Sequence, residues 1–166
     1  IHGGEVTEGA IDDPLRHSIT KLSHLHFVST EEHRRRVIQL GEEPWRVIIS
    51  GAPSRDNLRD ISPLGPEEME REIGVRVNPE TLLVTFHPTT LEYGDAGAQA
   101  DELLAALDAA GRPVLFTMPN ADAGGMQIRR RIKAFVAGHP DAHTIENLGT
   151  RGYFGTMAIC AAMVGN

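Results

Sequence analysis

Short apolar runs of β-type residues recur along the chain at Leu25-His26-Phe27-Val28, Val47-Ile48-Ile49, Leu82-Leu83-Val84-Thr85-Phe86 and Val114-Leu115-Phe116-Thr117-Met118, each followed by polar or turn residues. A weaker run lies between Ala142 and Ile145. Between the runs the spacing turns helical. Asp13 is placed to cap a helix with Pro14 at its first position and Leu15, Ile19 and Leu22 at i, i+4 and i+7. Thr30 is placed to cap the next, which ends at Gly41. Leu103, Leu104 and Leu107 mark a third helix closed by Gly111, and Ile128, Ile132, Phe135 and Val136 a fourth closed by Gly138. The last apolar stretch, Thr156 to Val164, reads as a helix with no strand after it.

Strands alternating with helices of this length are the sequence form of a parallel sheet covered on both faces, so the expected class is α/β. From Gly51 to Pro66 the rhythm breaks, with three prolines among Ser, Arg, Asp and Asn, the composition of a linker. The expected organisation is a first domain over residues 1–55, a hinge over 56–66 and a second domain over 67–166. Each part supplies too few elements for a complete doubly wound domain. The chain also opens inside one polar loop, Ile1-His2-Gly3-Gly4-Glu5, and stops inside another, Gly165-Asn166, so the expectation is a stretch truncated at both ends.

Composition narrows the classes of function. The chain has 166 residues, 40% hydrophobic and 23% charged, which is ordinary for a globular protein. Sixteen Lys and Arg against 23 Asp and Glu leave a formal charge of −7, which argues against a broad nucleic-acid surface. The basic runs His33-Arg34-Arg35-Arg36 and Arg129-Arg130-Arg131 fall on expected helices and read as solvated faces. The single cysteine, Cys160, stands in an apolar run with no adjacent charge to activate it and reads as a small inert hydrophobe. There is no apolar run of 18 residues and no basic-then-apolar leader layout, so no membrane partner is expected and the expected location is cytoplasmic.

Three polar constellations carry candidate chemistry. The densest runs from His2-Gly3-Gly4-Glu5 to Asp12-Asp13 and on through Arg16-His17-Ser18. Adjacent glycines admit a ligand close to the backbone, and the acids lead into a helix N-terminus, where N–H groups favour anions. A solvated turn with Asp13 as an ordinary cap accounts for the pattern equally well. The second, Thr85-Phe86-His87-Pro88, places His87 at the carboxyl end of a strand, where open α/β sheets bind ligands. The third, Met118-Pro119-Asn120-Ala121-Asp122-Ala123-Gly124-Gly125, sets Asn120 at another strand end, with side chains able to bond a ribose or sugar hydroxyl or to cap a helix.

Other patterns fail on spacing. Gly149, Gly152 and Gly155 recur every third residue, which is not the dinucleotide fingerprint, and no P-loop occurs. His24 and His26 flank one residue at a strand start and are candidates for a shared metal, but neither a cysteine nor an H-E-x-x-H accompanies them, and no metal is expected.

Taken in order, His2-Gly3-Gly4-Glu5-Val6-Thr7, the segment from Arg16 to His24, the segment from Arg36 to Glu42, Thr85-Phe86-His87-Pro88 and Pro119-Asn120-Ala121-Asp122 resemble the hydrolysing UDP-N-acetylglucosamine 2-epimerases of sialic-acid-type pathways. The resemblance extends along the whole chain. It implies two Rossmann-like domains as in the B-type glycosyltransferases, both incomplete here, with a nucleotide-sugar substrate, UDP-linked, and no cofactor. The implied reaction removes the C2 proton, eliminates UDP to a glycal and adds water to release N-acetylmannosamine. It further implies a homodimer or homotetramer for the full-length protein, and inactivity for a stretch cut at both ends.

By position, Asp12 resembles a family carboxylate implicated in proton transfer, with Asp13 as its rival. His2 stands where many members carry an acid, so that either His2 or Glu5 is expected to take that role. His87 resembles a histidine contacting the diphosphate, Asn120 and Asn166 resemble nucleotide-side contacts, and Arg16, His24 and His26 match residues that support the site. The alternative is a B-type nucleotide-sugar-binding module or glycosyltransferase without epimerase activity, for which proton-handling groups in the first loop would be unneeded.

Overall fold

The protein is described here by a computed structural model, which covers residues 1–7, 12–87, 95–120 and 123–165. It divides into two compact units, Ile1–Asp60 and Ile61–Asn166. Both are α/β with parallel strands.

In the first unit, α1 (Asp12–Leu22), β1 (His26–Val28), α2 (Glu31–Gln39), a 3-10 turn at Pro44–Arg46, β2 (Val47–Ile49) and α3 (Ser54–Asp60) follow one another. β1 and β2 pair in parallel, with His26 opposite Val47 and Val28 opposite Ile49. Ile1 continues the pairing on the other edge of β1: the Phe27 N–H donates to its carbonyl at 2.7 Å. Thr30 caps α2 as expected, its hydroxyl accepting from the His33 N–H at 3.2 Å. Val28, Val37 and Val47 form the core, with Ile38 packed against them.

Two expectations for this unit are corrected. The α1 stripe of Leu15, Ile19 and Leu22 does not face a core: these residues are 56%, 49% and 81% exposed, and the buried position of the helix is Thr20. Asp13 lies inside the first turn of α1, which starts at Asp12, instead of capping it. The proline-rich segment expected as a linker carries α3 and, from Pro66, the start of the next helix, because Ser54 and Gly65-Pro66 are helix starters.

In the second unit α4 (Pro66–Ile73) precedes β3 (Leu82–Thr85), α5 (Ala96–Ala110), β4 (Val114–Thr117), α6 (Ala123–Gly138), β5 (Ala142–Ile145), α7 (Gly149–Ile159) and β6 (Ala162–Gly165). The parallel sheet has the order β5-β4-β3-β6. Successive side chains of a strand point to opposite faces, and here both faces are covered. Leu82, Val84, Val114 and Phe116 meet Ala100 and Leu107 of α5 and Ile128 and Ile132 of α6. Leu83 and Leu115 meet Met69 of α4 together with Leu64 and Val77, and Tyr153 and Ile159 of α7 pack against that layer. Cys160 is half-buried beside the same layer.

The terminal apolar run is also corrected. α7 stops at Ile159, and Ala162–Gly165 is a strand that pairs with β3, Leu82 opposite Ala162 and Thr85 opposite Gly165. Its return to the far side of β3 gives the sheet a switch point between β3 and β6, the place where open α/β sheets hold ligands beyond their strand ends. Among the described residues no helix is long and apolar enough to cross a membrane.

Candidate functional site

The first loop is fixed by its two glycines. Gly4 has φ +82°, a conformation that favours glycine, and its amide packs onto the first turn of α2. The Arg36 guanidinium donates to the Gly4 carbonyl at 3.2 Å and pairs with Glu32, holding the turn from the other side. Gly3 is buried against Thr20 of α1. His2 and Glu5, on either side, are thereby set at the carboxyl end of β1.

There His2 Nε2 lies 2.8 Å from the Ser29 hydroxyl and 3.9 Å from Glu5 Oε1. The His33 ring stands edge-on to His2, centroids 5.7 Å apart. Arg16 Nη1 donates to the Glu5 carbonyl at 3.2 Å and lies 3.4 Å from Asp13 Oδ1. Asp13 Oδ1 also accepts from the Thr7 N–H at 3.0 Å, and His17 Nε2 is 3.9 Å from its other oxygen. The structure thus gathers His2, Glu5, Asp13 and Arg16 about one loop. Asp12 is exposed beside them, lining an open concavity with Ile1, Leu15, Arg16 and Ile19.

His24 and His26 are not brought together. His24 is exposed ahead of β1, whereas His26 is fully buried within it, its Nε2 lying 3.4 Å from the Glu42 carboxylate. Glu42 also accepts from the Lys21 ammonium. That hydrogen bond is the main cause holding the Glu42 carboxyl below the ordinary carboxylate range; partial burial opposes it and His26 adds to it. The pair ties β1 to the turn after α2.

The second unit presents its candidate groups at the carboxyl ends of β3 and β4. Thr85 and Thr117, opposite each other at the ends of β3 and β4, bring their hydroxyls to 2.5 Å. The Tyr153 hydroxyl of α7 is 3.5 Å from that of Thr85. Gly165 crosses so close to Thr85 that a Cβ on it would stand 1.8 Å from the Thr85 carbonyl oxygen. Half-buried His87 follows β3, and exposed Asn120 follows β4. Arg129 donates to the Pro119 carbonyl at 2.8 Å and pairs with Glu146, which fixes the chain before Asn120. Asn166 lies outside the described residues.

Sequence reasoning singled out neither Ser29, His33, Arg36 and Glu42 in the first unit nor the Thr85, Thr117 and Tyr153 hydroxyls in the second as individual site residues, although Arg36, Glu42 and Thr85 lie in segments that carry the resemblance. His33 and Arg36 were hidden in a basic run that suggests a solvated face. A usable signal existed for Thr85 and Thr117, since polar residues ending otherwise apolar parallel strands lie where ligands bind.

A family model described as UDP-N-acetylglucosamine 2-epimerase matches residues 1–166. The chain is 37% identical over 166 residues to a GDP/UDP-N,N'-diacetylbacillosamine 2-epimerase (hydrolyzing) of Campylobacter jejuni, covering 99% of this chain and 43% of that protein. It is 35% identical over 168 residues to the polysialic acid biosynthesis protein P7 of Escherichia coli, covering 100% of this chain and 42% of that protein. The chain therefore spans less than half the length of these relatives. Its fold is similar to that of a UDP-N-acetylglucosamine 2-epimerase from Rickettsia bellii, with a TM-score of 0.72 at 12% identity over 99% of this chain and 43% of that one.

Proposed function

The chain belongs to the UDP-N-acetylglucosamine 2-epimerase family, and from that premise we propose that it serves a hydrolysing 2-epimerase acting on UDP-N-acetylglucosamine or a close diacetamido analogue. The analogue is included because the Campylobacter jejuni relative is described as acting on diacetylbacillosamine. In the proposed reaction a base takes the C2 proton, the C1–O bond to UDP breaks as the C1–C2 double bond forms, and water then adds to the glycal. Hydroxide goes to C1 and a proton returns to C2 on the opposite face. The products from UDP-N-acetylglucosamine are UDP and N-acetylmannosamine.

The observation that carries the reading is the gathering of His2, Glu5, Asp13 and Arg16 around one glycine-pinned loop. Deprotonation at C2 and protonation of its opposite face need two proton-handling groups, and positioned side chains of this kind contribute typically 10²–10⁴-fold each. In this proposal His2 or Glu5 is one such group and Asp12 the other, while Asp13 and Arg16 position the loop. His87, Asn120 and Asn166 serve the nucleotide, with His87 placed to meet the charge of the departing diphosphate.

The test is to incubate the purified full-length protein with each sugar nucleotide in D2O and follow free UDP and the released sugar by NMR. The proposal expects UDP together with a 2-epimeric free sugar carrying deuterium at C2. Release of the sugar with its original C2 hydrogen and configuration, transfer to an acceptor, or no turnover of either nucleotide overturns it.

A further inference from the structure

We propose that His2, Glu5 and His33 form a three-ligand site for a divalent transition-metal ion of the zinc class. One ligand atom from each lies within 4.8 Å of the others, closer than three independent surface side chains need come. Two imidazoles and one carboxylate are a donor set typical of zinc sites that keep a further position for water or another ligand. Imidazole nitrogen selects zinc, nickel or copper over magnesium or calcium, which want oxygen.

The backbone holds these ligands before any ion arrives. His2 and Glu5 flank the Gly3-Gly4 pair, and Gly4 packs directly on the main chain of His33. Arg36, one turn further along α2, bonds the Gly4 carbonyl, so the loop and the helix move as one piece. His33 Nδ1 is shielded from solvent and makes no protein hydrogen bond, a nitrogen left available to a metal or to nothing. On the other side, His2 Nε2, which faces Glu5 Oε1 at 3.9 Å, is met by the Ser29 hydroxyl at 2.8 Å, a contact that an ion bound to that nitrogen would displace.

This inference goes beyond the proposed reaction and does not depend on it. Its one consequence that does is inhibition, since a bound ion would occupy His2 and Glu5 and remove them from proton transfer.

The test is calorimetric titration of the chelator-stripped protein with Zn²⁺, repeated with Co²⁺ and read by visible absorption. The proposal expects one ion per chain and Co²⁺ bands of a low-coordinate nitrogen and oxygen site. Affinity should fall at least about tenfold in His2→Gln, Glu5→Gln and His33→Gln, on the scale that even outer partners of a metal site command. His143→Gln, at an exposed histidine of the other unit, should bind normally. Because the Glu5 side chain is 45% exposed, Glu5→Gln tests the site even where a histidine variant fails to fold. Absence of stoichiometric binding, full affinity in Glu5→Gln, or displacement of Zn²⁺ by millimolar Mg²⁺ overturns the site. Failure of the turnover assay alone bears on the proposed reaction and leaves this isotherm to be judged on its own.

Discussion

Gly4 and His33 are in such close contact that a Cβ added to Gly4 would stand 2.2 Å from the His33 carbonyl oxygen. No flexible side chain can yield there, because the obstacle is the main chain of the first turn of α2. The contact joins a loop rich in chemistry to a helix start 29 residues away, and it is a condition for the geometry of His2 and Glu5.

Gly4→Ala is therefore expected to destabilise the first unit well beyond the cost of its positive φ. A left-handed non-glycine residue costs roughly 1–2 kcal/mol. Gly111, at φ +58° with nothing within 4 Å of its added Cβ, isolates that cost. Urea denaturation of Gly4→Ala, followed by the fluorescence of Trp45, the sole tryptophan, should show a loss of at least ~3 kcal/mol. Gly111→Ala, followed by circular dichroism, should show only ~1 kcal/mol. Equal losses would mean that Gly4 is tolerated by movement of the loop.

Glu42 sets a pH dependence with a definite sign. Its folded-state carboxyl is held below the ordinary carboxylate value of 4.5, chiefly by Lys21 and further by His26. Its contribution to stability is fully present above that unfolded value and is lost as pH falls through the folded one. The first unit should thus lose stability on acidification below about pH 4.5, and Glu42→Gln should flatten that part of the profile. The same substitution leaves buried His26 facing a neutral amide, which predicts a lower midpoint at neutral pH as well. Trp45 fluorescence melts across pH 3–7 would check both; an unchanged acid limb in Glu42→Gln would discard the assignment.

How far the sequence was legible follows from what each segment buries. β3 and β4 are covered on both faces, so every position before the closing Thr85 and Thr117 is apolar and the strands stand out; Leu83 and Leu115 are fully buried toward one helix layer, Val84 and Phe116 toward the other. β6 was missed because an apolar run of this length has no period that separates strand from helix. α1 misled in the opposite way. Its apolar stripe is exposed, while Thr20 is buried with its hydroxyl donating to the Arg16 carbonyl at 3.0 Å. Within the site, glycine pairs and acids close in sequence were visible, but the partners that fix them, Ser29, His33 and Arg36, arrive through the βα turn. No local spacing announces such a contact.

His139 carries the opposite sign from Glu42. Its imidazole stacks on Phe135 with centroids 3.8 Å apart, and its nitrogens meet Asp108 Oδ1 at 3.0 Å and the Phe135 carbonyl at 2.6 Å. Asp108 foremost, then the carbonyl, raises its pKa above the ordinary histidine value of 6.5. The stabilisation is complete below that unfolded value and disappears as pH rises through the folded one. Asp108→Asn should shift the His139 ring-proton titration downward and remove this alkaline-side loss from thermal melts of the second unit. A titration unmoved by Asp108→Asn would assign the shift elsewhere.

Asp12 and Asp13 are adjacent in sequence but differently placed, and that separates their expected roles. Asp13 is engaged by the Thr7 N–H and by Arg16, so its carboxylate holds the loop to α1. Asp12 is exposed on the same helical turn and is free to meet a substrate. Asp12→Asn should accordingly lower kcat by at least about 10²-fold, the scale of lost proton transfer, while the denaturation midpoint stays in place. Asp13→Asn keeps the size of the side chain but weakens two anchoring bonds, and should cost about 1 kcal/mol of stability, with turnover falling through a displaced loop. Measured pairwise in one assay, stability loss should follow Asp13 and rate loss without stability loss should follow Asp12. The reverse pattern would transfer the proton-handling role to Asp13 and leave Asp12 as a solvated member of the helix start.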